Sequence, residues 1–368
     1  APERLWRLAE RDDRVVAALC ITRAQLKVEE GWLVKADVGE VAVRPELHGH
    51  GIGTALMTNT VSWMREEDYD FSRLGGLVRF YSRFGYVPFV RRYVEFYLRQ
   101  GVGAGAATAH PRYLKVPEAL PIGPVESESD RVRCRELDAT CNGWRAGSAA
   151  WEGATPGPSS LAYREGDRIV AWLQTVDYPT DRTEFESRLS IAGGAHETGR
   201  ADALAALVAH VLRLGHSLGH DHVSARLPFD PELFAALTEA ELPYKAVELH
   251  EAAAGTMVQV LNLRSLFEHL LPELDRRWKV ADLPVSAALV FEVAGQTVTL
   301  SLMPASTALV DGLPGERVTL SSPALLSLAL GLHSPNYVLA REEAVSPRAV
   351  ALLTMLFPEQ LASSGGWS

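Results

Sequence analysis

Short, largely apolar runs separated by polar residues recur along the first fifty residues, the pattern of strands. Residues 14–22 and 31–35 read as strands joined by a polar segment, and 38–43 reads as a third run that stops at Arg44-Pro45. The period then changes. From about Thr54 to Glu67, Leu56, Val61 and Met64 recur on one face of a helix. Between strand and helix lies a loop with three glycines, His48-Gly49-His50-Gly51-Ile52-Gly53. An aromatic segment, 80–97, closes this block, and the glycine- and alanine-rich run 101–107 reads as a flexible linker.

The same order of elements returns downstream. Strands are predicted at 160–163, 169–176 and 188–191, then a helix at 201–214 and a strand at 222–227. A helix opened by Pro231 and strands at 244–249 and 256–263 follow. A third block starts with a helix at 264–278. In the hairpin after it, Leu289, Phe291 and Val293 alternate before the turn Ala294-Gly295-Gln296, and Val298, Leu300 and Leu302 alternate after it. Ser322-Pro323 and Ser346-Pro347 each open a further helix. The expected fold class is α/β, with mixed α+β sheets in three domains at 1–115, 116–262 and 263–368.

Composition narrows the function. A chain of 368 residues exceeds one ordinary core. Its formal net charge of −10 leaves no excess of basic residues to neutralise phosphates, so no nucleic-acid partner is expected. That charge suits a protein that attracts cations such as protonated amines, and equally one that is simply kept soluble. The longest apolar stretches, 203–211 and 324–330, are far short of a bilayer span, and no secretory signal is seen. Cys20, Cys134 and Cys141 include no C-x-x-C pair; on one helix Cys134 and Cys141 would lie about 10 Å apart, too far for a disulfide. The expectation is a reduced, cytoplasmic protein without a membrane partner. The chain opens on Ala1, which reads as a start inside a longer protein.

Two clusters invite chemistry. His210, His216, His220, Asp221 and His222 include one helical ligand spacing, yet Gly215 and Gly219 interrupt it, and no metal is assigned. The stronger candidate is the stretch from Val41 through the glycine loop into the helix at Thr54. A helix N-terminus presents unpaired N–H groups and the positive end of the peptide dipoles, and glycine admits an anion to the backbone. The loop lacks the Gly-Lys-Ser/Thr ending of a Walker loop and the G-x-G-x-x-G of a dinucleotide site. A pyrophosphate cradle for an acyl-CoA and a tight strand–helix turn both remain open.

Val41, Val43 and Pro45 followed by an x-x-x-G-x-G loop resemble the core motif of the GNAT acetyltransferase superfamily. Phe80-Tyr81-Ser82-Arg83-Phe84-Gly85-Tyr86 resembles its later Y-x-x-F-G-Y/F motif. The three-block layout is similar to the Eis group, and the loop 193–200 lacks x-G-x-G, as a degenerate second copy should. The resemblance implies tandem GNAT acyltransferase domains followed by a small sterol-carrier-protein-like domain. It also implies acetyl-CoA as co-substrate without a metal, and a primary amine acceptor of aminoglycoside, polyamine or lysine type. A homo-oligomer is implied as well, with a hexamer among the forms allowed.

By the same resemblance, backbone groups of Val41, Ala42 and Val43 contact the pantetheine and acetyl carbonyl. Gly49, His50, Gly51, Ile52, Gly53 and Thr54 hold the pyrophosphate, and Gly76 and Leu77 add a further contact. Tyr81 corresponds to the general acid, although as a residue type it fits a packed aromatic cluster equally well. A phenol near pKa 10 suits that role if a neighbouring dipole lowers it toward the 8.5 of a thiol. The group's base is the terminal carboxylate of an aromatic residue, whereas this chain ends Trp367-Ser368; Ser368 and Glu40 compete for that role. His48 stands where the superfamily usually has Gln or Arg, and Arg79, Arg83, Arg91 and Arg92 are candidates for CoA phosphates. The superfamily's first strand and two helices are expected to be missing before residue 14. A second reading is a weak or inactive CoA- or lipid-binding protein that uses the apolar face of the 289–302 hairpin.

Overall fold

The computed structural model describes residues 4–98, 120–143, 160–177, 189–220 and 222–362. The chain opens with three antiparallel strands, β1 (Arg4–Arg11), β2 (Arg14–Val28) and β3 (Gly31–Val43). Asp12 and Asp13 both take positive φ between β1 and β2, the backbone of a two-residue hairpin whose twist matches its strands. β1 lies where no strand was expected. β2 also runs straight through the predicted polar segment, because Ala24, Leu26 and Val28 alternate inward while Arg23, Gln25 and Lys27 do not. Helix α1 (Ile52–Glu66) then buries Leu56, Met57, Val61 and Met64 against the sheet, as the periodicity predicts. β4 (Phe71–Leu77), the short helix α2 (Val78–Tyr81) and the two-residue β5 (Val87–Pro88) follow.

The next elements build a different sheet. They are β6 (Arg91–Tyr97), β7 (Ile122–Pro124), α3 (Glu128–Asp138), β8 (Ser160–Glu165), β9 (Arg168–Asp177) and β10 (Leu189–His196). After them come α4 (Ala201–Ser217), β11 (His222–Ala225), α5 (Pro231–Glu239) and β12 (Tyr244–Leu249). The chain finishes with β13 (Ala254–Val260), α6 (Leu263–Ala281), β14 (Ala287–Val293), β15 (Gln296–Met303), β16 (Ser306–Val310) and β17 (Glu316–Leu320). Helices α7 (Ser322–Ala329), α8 (Pro335–Leu339) and α9 (Pro347–Leu356) complete it.

These elements form two compact units. The first holds the described residues up to Val90 and His250–Gln360; the second holds those from Arg91 to Leu249, with Leu361 and Ala362. Among the described residues, the first unit's larger sheet has the order β1-β2-β3-β4-β13-β5, and its smaller sheet β16-β15-β14-β17. The second unit's sheet runs β12-β6-β11-β10-β9-β8-β7. Sequence neighbours therefore part company. β6, read from the sequence as closing the first block, pairs with β11 and β12, and β13 pairs with β4 and β5. Val94 and Phe96 of β6 sit fully buried in the second unit's core, while Met257 of β13 sits in the first unit's.

Within the first unit, Asp70 ties the larger sheet to α6. Its fully buried carboxylate accepts from the N–H of Val34 at 2.7 Å, the Ser265 hydroxyl at 2.6 Å and His269 Nδ1 at 2.9 Å. The hairpin β14–β15 turns its apolar face inward. Leu289, Phe291, Leu300 and Leu302 are fully buried, and Phe291 meets Phe267 of α6 at 4.6 Å and Phe357 at 6.2 Å between ring centroids. That face is core, which removes the surface the second, lipid-binding reading relied on. Among the described residues, no helix is long and apolar enough to cross a membrane.

Candidate active site

The site begins with an irregularity in β3. Its pairing with β2 runs from Val43↔Ala17 to Ala42↔Ala18 and then jumps to Gly39↔Cys20, so Glu40 and Val41 face a single residue of the partner. Glu40 takes a φ of 52° to make this bulge, a conformation uncommon for a residue with a Cβ. On its other side β3 pairs in parallel with β4, but only from Lys35↔Phe71 to Val38↔Leu74. Beyond that point each strand stays paired on its outer side, β3 with β2 and β4 with β13 through Leu77↔Ala254, while their inner edges carry no pairing. The result is a wedge in the sheet. Val41, Ala42 and Val43 lie on one arm, Gly76 and Leu77 on the other.

The glycine loop connects the first arm to α1. A 3₁₀ turn at Pro45–Leu47 leads to Gly49 and Gly51, at φ 80° and 77°. Gly51 is the N-cap of α1, and no side chain caps the helix. The first-turn amides of Ile52, Gly53 and Thr54 thus receive no internal carboxylate or hydroxyl, the condition an anion cradle requires. A Cβ on Gly53 would lie 3.3 Å from Val43 Cγ2 and 3.7 Å from the Phe80 ring, so glycine lets the helix start seat tightly against the wedge. His48 Nε2 donates to the Val43 carbonyl at 2.9 Å and His50 Nδ1 to the His48 carbonyl at 3.0 Å. Both rings fasten the loop to itself; His48 acts as a pin at the end of β3.

Tyr81 is brought to the wedge by α2. Its ring packs on Gly76 so closely that a Cβ there would overlap it. Phe80 meets Tyr81 edge-on at 4.9 Å, and Tyr86 lies at 6.4 Å. The two tyrosines differ in what their hydroxyls do. Tyr86 is fully buried and bonds Ser72 Oγ at 2.7 Å, which in turn donates to the Ala36 carbonyl at 3.0 Å. Tyr81 is half-buried, and among the described residues its hydroxyl has no hydrogen-bond partner. Burial pushes the Tyr81 phenol above its ordinary value of 10, the opposite of the lowering expected from the sequence. It is therefore protonated throughout the neutral range.

The remaining candidates are placed as follows. Glu40 is exposed and pairs with Arg4 at 3.3 Å. The Arg83 guanidinium lies over Phe80 at 4.8 Å and donates to the Phe80 carbonyl, which commits it locally. Arg91 and Arg92 belong to the second unit, where Arg92 pairs with Glu248 at 3.2 Å. Ser368, Asp221 and the run 101–107 lie outside the described residues. Among the described residues no three His, Cys, Asp or Glu side chains are grouped as metal ligands.

The second unit also has a bulged strand, a loop and a helix whose N-cap, Arg200, makes no side-chain capping bond, but its loop is occupied. β10 carries a bulge between Ile191 and Gly193 and pairs in parallel with β11 only at Ser190↔Ser224 and Ile191↔Ala225. In the loop before α4, however, the Gly199 N–H donates to the Glu232 carboxylate at 3.1 Å. His196 is held from both sides, Nε2 against Asp230 at 2.5 Å and Nδ1 against the Glu197 carbonyl at 2.9 Å. Burial by itself lowers the pKa of His196, but the bonds to Asp230 and Glu197 outweigh it and hold the imidazole above its ordinary value. Sequence reasoning missed this closure, because Glu232 and Asp230 lie more than thirty positions from the loop they fill.

A bulged strand, a wedge beside it and an uncapped helix behind a glycine loop make up the site, and comparison with known proteins shows where this fold recurs. Residues 3–89 match the family model described as an acetyltransferase (GNAT) domain. The fold is similar to that of a GCN5-related N-acetyltransferase from Anabaena variabilis ATCC 29413, at a TM-score of 0.65 and 17% identity over 97% of this chain and 88% of that one. A GCN5-related N-acetyltransferase from Kribbella flavida aligns at 0.64 and 17% identity, over 97% and 85% of the two chains. Eis1 from Mycobacterium abscessus aligns at 0.61 and 18%, over 98% and 89%. No curated protein matches the chain.

Proposed function

We propose that this protein is an N-acetyltransferase that moves the acetyl group of acetyl-CoA to a primary amine, of aminoglycoside, polyamine or lysine type, by direct attack. The observation that carries this reading is the seating of Tyr81 on Gly76 at the mouth of the wedge, with the uncapped start of α1 behind it. The backbone of Val41, Ala42 and Val43 would hold the pantetheine arm, with Gly76 and Leu77 opposite. The amides from Gly49 through His50, Gly51, Ile52 and Gly53 to Thr54 would hold the diphosphate. The amine lone pair forms the new C–N bond as the thioester C–S bond breaks. The Tyr81 hydroxyl delivers its proton to the departing sulfur, and a carboxylate takes the proton that the amine loses. Two carboxylates compete for that last role, the Ser368 terminus and Glu40 on the bulge. The same reading includes a cytoplasmic location and a homo-oligomer, up to a hexamer, whose chains each carry one donor site.

The test is release of free thiol from acetyl-CoA in the presence of a mixed panel of amines. Wild type is expected to release thiol with at least one acceptor. Release with none of them, despite measurable CoA binding, would refute the enzymatic reading. Removing the last few residues is expected to cut turnover more than tenfold if the terminal carboxylate is the base; Glu40→Gln should do so if Glu40 is.

A further inference from the structure

The first unit also holds a cavity of about 220 Å³ that shares no residue with the wedge or the glycine loop. It lies where β5 and the residues after it approach α7 and α8. Pro88, Phe89 and Val90 supply apolar surface from one side, Ala324 and Val338 from the other.

Its polar lining holds one carboxylate and one guanidinium, which are not paired with each other. Glu342 is the one carboxylate in the wall, and it is already committed: it accepts from the Ser321 hydroxyl at 2.6 Å and from the Ser321 N–H at 2.9 Å, at the start of α7. Arg341 beside it has no carboxylate partner among the described residues. Its guanidinium sits 5.1 Å from the Tyr337 ring and donates to the Tyr337 hydroxyl at 3.3 Å, and a neutral phenol leaves the charge uncompensated. Tyr337 in turn stacks on the buried His333, with ring centroids 4.2 Å apart and planes 4° from parallel. Guanidinium, phenol and imidazole thus form one preassembled edge of the cavity, and little side-chain ordering remains to be done on binding.

We infer that this cavity binds a compact monocarboxylate with an apolar body, its carboxylate on Arg341 and its hydrocarbon against Pro88, Val90 and Ala324. A guanidinium matches a carboxylate through two parallel N–H···O bonds, and the apolar walls require hydrocarbon. The volume falls below the roughly 300 Å³ at which drug-sized ligands begin, which sets the compact size. A dianion such as phosphate fits poorly: its second charge would face Glu342 and apolar carbon without a partner.

The experiment is a calorimetric titration of the full chain with benzoate and hexanoate, each compared with its neutral amide. At least one acid is expected to bind, at least tenfold more tightly than its amide. Arg341→Gln, at an exposed position, should reduce the acid to the level of the amide. Val87→Trp fills the cavity from the exposed edge of β5 and should abolish binding while leaving CoA binding unchanged. Acids that bind no better than amides, or that bind equally well to both variants, would overturn the proposal.

Discussion

Tyr81 and Gly76 are the residues on which the chemistry turns. Tyr81→Phe keeps the ring and its edge-on contact with Phe80 and removes only the hydroxyl, so stability and CoA affinity should be unchanged. Turnover should fall more than tenfold, in line with loss of a positioned general acid. Gly76→Ala makes a complementary prediction. Its Cβ occupies the space of the Tyr81 ring, so turnover should fall to a similar extent with the phenol still present. Steady-state rates for the two variants, with CoA binding measured alongside, check both. Because burial raises the Tyr81 pKa, the rate should show no loss from ionisation of this group below about pH 10. Gly76 was legible from the sequence only through its family resemblance; nothing in the periodicity says that a ring lies against it.

At the scale of elements, two histidine–carboxylate pairs, one around the half-exposed His269 and one around His196, contribute to how stability depends on pH. His269 is held above its ordinary pKa chiefly by the hydrogen bond to Asp70, and His196 is held above it despite burial. A raised histidine contributes its full stabilisation below the unfolded value of about 6.5 and loses it as pH rises through the folded value. Denaturation midpoints should therefore fall between pH 6.5 and the more alkaline folded pKa values, and His196→Gln with His269→Gln should flatten that slope. Asp70→Ala is a harsher change. It leaves the Val34 N–H, Ser265 and the half-exposed His269 without the fully buried carboxylate they share and should cost about 1–3 kcal/mol for a buried donor left unsatisfied, read by chemical denaturation. Most of these elements could be read from the sequence, α1 and the β14–β15 hairpin above all, because their apolar faces repeat over several turns or alternations. The bulge had a weak marker in Gly39, a glycine inside a strand pattern. β5, α2 and the closing contacts of Glu232 had none: the first two are too short to show a period, and the last is a contact between distant positions.

At the scale of the molecule, a bulged strand, a loop and a helix without a side-chain cap occur in both units, and in the second a distant carboxylate occupies the loop. The first unit leaves the amides ahead of α1 without a side-chain acceptor, while the second supplies Glu232 to the equivalent loop. The exchange of β6 and β13 between the sheets could not be read from local periodicity, since each is an ordinary alternating strand and only the pairing partner is unexpected. Titration calorimetry should accordingly count one CoA per chain; two equivalent sites would mean that Glu232 is displaced. The account as a whole rests on where the donor's diphosphate lies, and a crystal structure of the CoA complex measures that directly. It should show the diphosphate against the amides between Gly49 and Thr54, with the pantetheine arm entering the wedge beside Tyr81. A diphosphate bound at any other place on the chain would contradict it.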